Sequence, residues 1–199
     1  MRYDLTPAAQ EITRLLDGIA SDDLERPTPC TEYTVATLLN HVKGLAYAFH
    51  LAAPVTPKDA HAHELLKNPP SPTADELDAN WRETIPQHLR TLAETWRNPD
   101  AWDGEATVGG VTMPANITGL VALDELVLHG WDLARATGQE FHCDDASTSA
   151  CLTFTLMSAA PGEEAGRKGL FGPVIDVPAD APPLDRAVGL SGRDPHWQP

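Results

Sequence analysis

Three cysteines in 199 residues, none paired at the spacing of a metal knuckle, argue against a disulfide framework and a structural zinc knuckle. Cys30, Cys143 and Cys151 are an odd number, and free, mostly buried thiols are what such usage predicts. Positive charge is scarce as well. Fourteen Lys and Arg stand against 29 Asp and Glu, giving a net charge of −15. So acidic a chain repels phosphate backbones and anionic lipid, which makes nucleic acid and membrane surfaces poor partners. No apolar run approaches the roughly 18 residues of a membrane span. Met1-Arg2-Tyr3-Asp4 opens no signal peptide, so the expected location is the cytoplasm. Internal repeats and low-complexity tracts are missing too. What the chain does have is 42% hydrophobic residues, enough for one domain with a substantial core.

Those apolar residues recur mostly at helical spacing. Thr6-Pro7 reads as a cap and first-turn proline, and Ala8, Ile12, Leu15, Leu16 and Ile19 predict a helix over 7–20. Thr34 caps a second helix over 35–52, with His41 at the flank of its apolar face. Five prolines between 54 and 72 predict a long surface connection, with His61 and His63 solvated within it. The box Thr73-Ala74-Asp75-Glu76 opens a helix over 73–97, which Pro86 should kink or interrupt. Gly109-Gly110, between Ala106-Thr107-Val108 and Val111-Thr112-Met113, predicts a short β-ribbon. A helix over 114–137 follows, ending at Gly138, then another over 146–159 and a short one at 183–190 in a Gly- and Pro-rich tail. The expected layout is a helical bundle over 1–140, with 141–199 packed on the same domain.

The stretch from Asp124 to Ala134 carries the chemistry. Its helix is apolar around most of its circumference and should be largely buried. Yet Glu125, His129 and Asp132 share one narrow stripe at i, i+4 and i+7. Buried ionisable groups need partners. A metal ion is one solution, since Glu and His at i, i+4 can supply a carboxylate oxygen and an imidazole nitrogen from one face. A Glu–His hydrogen bond in a polar seam is the other. Four helices with one long crossover form bundles that build metal sites from inward side chains, so His41 becomes the candidate third ligand. His₂Glu leaves a coordination position open, as catalytic zinc sites do. Asp132 suits the orientation of the imidazole of His129, or stands as an alternative ligand. Arg82, beside the third helix's apolar stripe, is a candidate anion anchor at the site mouth, or a solvated arginine. A zinc hydrolase is disfavoured, because the His-Glu-x-x-His helix is absent.

The segments Thr28-Pro29-Cys30-Thr31-Glu32-Tyr33-Thr34-Val35 and Leu38-Leu39-Asn40-His41-Val42 resemble the N-terminal metal-binding domain of mycothiol-dependent maleylpyruvate isomerase. Glu125 to Ala134 matches that family's second signature. The closing Gly192-Arg193-Asp194-Pro195-His196-Trp197 is similar to the ending of an uncharacterised actinobacterial branch. The resemblance implies an all-α, DinB-like four-helix bundle with zinc, or another divalent metal, on His41, Glu125 and His129. It implies a thiol transferase or isomerase that activates mycothiol for addition to an electrophilic small molecule. Thiol and electrophile are then the partners, and a homodimer is compatible with the family. The tail differs from the isomerase's larger C-terminal domain, which argues against maleylpyruvate itself. A non-catalytic metal- or ligand-binding module of the same fold is the competing expectation.

Overall fold

The computed structural model describes residues 1–199. Four long helices enclose the core: α1 (Thr6–Asp17), α2 (Val35–Ala52), α4 (Trp81–Trp96) and α5 (Ala115–Thr137). A shorter α3 (Ala60–Lys67) lies between α2 and α4 in the chain, and a hairpin of β1 (Glu105–Val108) and β2 (Val111–Pro114) precedes α5. The C-terminal part adds α6 (Asp145–Ser158), α7 (Glu164–Arg167) and α8 (Pro183–Leu190). No helix is long and apolar enough to cross a membrane.

Local chemistry sets the boundaries. The Thr34 hydroxyl accepts the Thr37 N–H and starts α2. Gly138 ends α5 at φ 69°, and the next N–H, from Gln139, returns to the carbonyl of Ala134. In the hairpin Val108 pairs with Val111, so Gly109 and Gly110 form a two-residue turn with φ of 61° and 78°. Gly110 is fixed twice over: its N–H donates to Leu66 O, and a Cβ there would lie 2.9 Å from Lys67 O.

The four long helices pack as a closed ring, α1 against α4 and α5, and α2 against the same two. This is a four-helix bundle with a β-ribbon ahead of its last long helix. Ile12, Leu39, Leu89, Leu92 and Leu126, contributed by all four, are fully buried in one apolar cluster. Two tryptophans close one end: Trp96 donates from Nε1 to Phe49 O, and Trp102 donates to Trp96 O. Helix α6 packs on α5 and α8 on α6. Ala150, Cys151, Phe154, Ala187 and Val188 join the bundle's own cluster, so the tail is built onto the same core.

Four expectations require correction. The 53–72 connection contains α3, capped by Asp59, whose carboxylate accepts the Ala62 N–H; His61 and His63 are exposed on a helix, not in a loop. Thr73 makes no capping bond, and only a 3-10 turn forms at Ala74–Glu76 before α4 begins at Trp81. The Thr73 carbonyl instead accepts Asn40 Nδ2 and holds this segment against α2. Of the two outcomes expected at Pro86, a kink or an interruption, the interruption does not occur: α4 continues through it to Trp96. Thr6 is not the cap of α1 but its first residue, with its N–H donated to the Asp4 carboxylate two residues earlier.

Candidate metal centre

Adjacent helices α2 and α5 bring the site together. Glu125 and His129, one turn apart on α5, place His129 Nε2 3.0 Å from Glu125 Oε2. His41 enters from α2 with its Nε2 3.7 Å from the same oxygen. The ligand-capable atoms of all three lie within 4.8 Å of one another. Bonds of about 2.1 Å to a tetrahedral ion would hold such atoms about 3.4 Å apart, so a small contraction fits the cluster to zinc. The donor set suits that ion: two imidazoles and one carboxylate. The His41 and His129 rings meet edge to face at 4.8 Å, and Tyr33 packs against His41 at 5.3 Å.

Behind His129 runs a buried chain of charge. Its Nδ1 lies 3.0 Å from Asp132 Oδ2, which turns Nε2 toward Glu125 and His41. Asp132 is fully buried and is gripped in turn by Arg193, Nε to Oδ1 at 2.8 Å and Nη2 to Oδ2 at 2.9 Å. The remaining Nη1 donates to the Ser191 hydroxyl at 3.1 Å. Burial alone would push the His129 imidazolium down, but its bonds to Asp132 and Glu125 carry it up to about 9. Burial opposes ionisation of Glu125 also, and the two histidines overcome it, holding the carboxyl far below its usual range. Without an ion, His129 keeps both ring protons to satisfy both carboxylates. An ion would take the place of the Nε2 proton.

A cavity of about 690 Å³ opens onto the cluster. Its walls come from the turn before α2, from Ser71 to Ala74, from α5, and from Gly169 to Phe171 of the tail. Asp124 lines it at 1% exposure; Oδ1 accepts the Cys151 thiol at 3.1 Å while Oδ2 has no partner. Burial pushes the Asp124 carboxyl up to about 8. Cys30 is also in the wall, its thiol pushed up to about 11 chiefly by burial.

Among the residues singled out from sequence, His41, Glu125, His129 and Asp132 meet at one place. Arg82 does not. Its guanidinium donates to the carbonyls of Leu16 and Ile19 at the end of α1 and stacks on Trp81, so it closes a helix end and leaves the cavity without its charge. The cation in the wall is Arg193. The one clue to it in the sequence was Asp132, a buried carboxylate whose neighbouring histidine supplies only part of its charge balance. Cys143 and Cys151 are absent from the cavity wall, and His61 and His63 lie on the exposed face of α3.

Fold and cluster together define a DinB-like bundle with a His-Glu-His donor set facing a cavity. The family described as "Mycothiol maleylpyruvate isomerase N-terminal domain" matches residues 5–134, and the chain belongs to it. Uncharacterized proteins from two strains of Mycobacterium tuberculosis are 26% identical over 188 residues, spanning 94% of this chain and 93% of theirs. The crystal structure of mycothiol-dependent maleylpyruvate isomerase superposes with a TM-score of 0.53 at 18% identity, and that of a histidine-to-alanine mutant at 17% with the same score. Each match covers 76% of this chain and 66% of the isomerase, so the chain spans just under two thirds of that enzyme's length.

Proposed function

We propose that the protein is a zinc-dependent thiol transferase or isomerase using mycothiol as its thiol. The observation that supports this most is the open donor set at the floor of the cavity, His41, Glu125 and His129. A zinc ion bound there would lower the pKa of a coordinated thiol and make its sulfur nucleophilic near neutrality. The chain's own residues do the rest. The His129 ring is oriented by Asp132 through Nδ1, and Asp132 is held by Arg193, so the imidazole donor is pre-aligned. Glu125 is kept ionised by the two histidines, which makes it a carboxylate donor at all working pH. Walls from the tail and from Ser71–Ala74 shield the reacting sulfur from bulk water.

The thiol's proton passes to solvent and its sulfur adds to one carbon of the electrophile's activated double bond, whose π electrons shift to the activating carbonyl as an enolate. In a transferase the enolate takes a proton from solvent and the carbon–sulfur bond persists. In an isomerase it breaks again after rotation about the adjacent carbon–carbon bond and releases the thiol. The test is turnover of a panel of electrophiles by zinc-loaded protein with and without mycothiol. Activity that requires both zinc and mycothiol is expected. Zinc-loaded protein with neither a kinetic nor a calorimetric response to mycothiol would leave a non-catalytic binding module.

A further inference from the structure

We infer that the electrophile taken by this cavity is uncharged or cationic and carries no carboxylate. The inference rests on the thiol-dependent reading above and narrows it to a substrate class. Its basis is the charge of the wall. Three acids line the cavity, Glu32 at the exposed rim, Asp124 and Glu125, against one side-chain cation outside the histidines, Arg193. That cation is committed: Nε and Nη2 are on Asp132, and Nη1 is on Ser191. Arg82 is committed elsewhere, to the carbonyls of Leu16 and Ile19.

An ion at the cluster does not change the balance. Its two charges are met by Glu125 and by the ionised thiol, while His41 and His129 ligate as neutral rings. The Asp132–Arg193 pair sums to zero. Glu32 remains, and Asp124 offers the cavity an oxygen and no positive charge in either protonation state. A carboxylate entering here would be desolvated beside like charge with no guanidinium or ammonium to receive it. The net charge of −15 repels anions at longer range as well. Neutral, hydrogen-bond-donating groups fare better, since Asp124, which lines the same space, has a buried Oδ2 without a partner.

The test uses two unreactive analogues of the electrophile, N-ethylsuccinimide, a neutral imide, and succinate, with two carboxylates. Each is titrated calorimetrically into zinc-loaded protein already saturated with mycothiol, so that the thiolate is present as in the reacting state. The imide is expected to bind and the dicarboxylate to bind at least tenfold more weakly. Glu32→Lys, at an exposed site outside the donor set, should narrow that gap at least threefold with zinc content unchanged. Equal or tighter binding of the dicarboxylate overturns the inference and leaves the thiol reading intact. So does binding of mycothiol with rejection of both analogues. Failure of mycothiol itself to bind removes the thiol reading and this inference together.

Discussion

Arg193 grips both carboxylate oxygens of Asp132, a residue 61 positions earlier in the chain, through Nε at 2.8 Å and Nη2 at 2.9 Å. Both side chains are buried, so the tail contributes an internal ion pair to the bundle. Removing one partner of such a pair strands the other's charge, at a cost of about 3–5 kcal/mol. Arg193→Met should therefore destabilise metal-free protein by that amount in urea unfolding, with Arg193→Lys intermediate because an ammonium lacks the two-pronged geometry. A loss under about 1 kcal/mol would mean that Asp132 finds another partner.

The donor set makes its own demand. Native mass spectrometry of zinc-loaded protein should show one ion per chain, lost in Glu125→Ala and His129→Ala and weakened or lost in His41→Ala. Asp132→Asn should keep the ion but weaken its binding by about 10–100-fold through the lost orientation of His129, and should destabilise the protein as well by leaving the Arg193 charge unpaired. Full zinc retention in all three alanine variants would move the site elsewhere.

The pH behaviour of metal-free protein follows from His129. Its imidazolium is raised from 6.5 to about 9 by Asp132 and Glu125 against the pull of burial. A folded-state pKa above the unfolded value stabilises fully below about 6.5, and that stabilisation fades as pH rises through about 9. Metal-free protein should thus lose stability across that window. Zinc uptake, which removes a proton from the same ring, should tighten with rising pH over the same range. Thermal melts with and without chelator across pH 6 to 9.5 check both signs.

Cys30 lies in the cavity wall, but its thiol is raised to about 11 chiefly by burial and is not ionised near neutrality. Cys30→Ser should retain most mycothiol-dependent turnover and all of the zinc. A hundredfold fall in kcat with zinc unchanged would make this thiol a participant.

Gly130 follows His129 on α5, and a Cβ there would lie 2.8 Å from Phe141 Cε2 and 3.3 Å from Ile12 Cγ1. Overpacking of this kind costs about 1–3 kcal/mol. Gly130→Ala should lower the melting temperature while zinc content remains one per chain, because the contact is on the side of α1 and not of the donor cluster.

How much of this was legible in the sequence depends on the range of each interaction. Glu125, His129 and Asp132 are readable because helical periodicity alone stacks them, and α5 begins and ends within one residue of its predicted limits. α2 begins and ends where its cap and apolar face predict. Helix α3 is hidden because Pro54, Pro57, Pro69, Pro70 and Pro72 surround eight residues with few apolar positions. Thr73 misleads because its local capping pattern is overruled by a distant partner, Asn40. Arg82 loses its expected role at the site mouth, and Arg193, for which no role was expected, enters the cavity wall, for the same reason. Which arginine meets a buried carboxylate is decided by how the tail returns over α5 and α6, and no spacing rule reaches that far.

The donors come unequally from two bodies. Helix α5 carries two of them at a separation its backbone dictates, whereas α2 carries the third, so the cluster works as a caliper with one fixed jaw. Tyr33 is packed on His41, and Asn40, which neighbours His41, holds the Thr73 carbonyl at 3.0 Å. Tyr33 and Thr73 are both part of the cavity wall. A change at the His41 jaw is thereby felt in the chamber wall as well as at the donor cluster, whereas the α5 jaw answers to its own backbone alone.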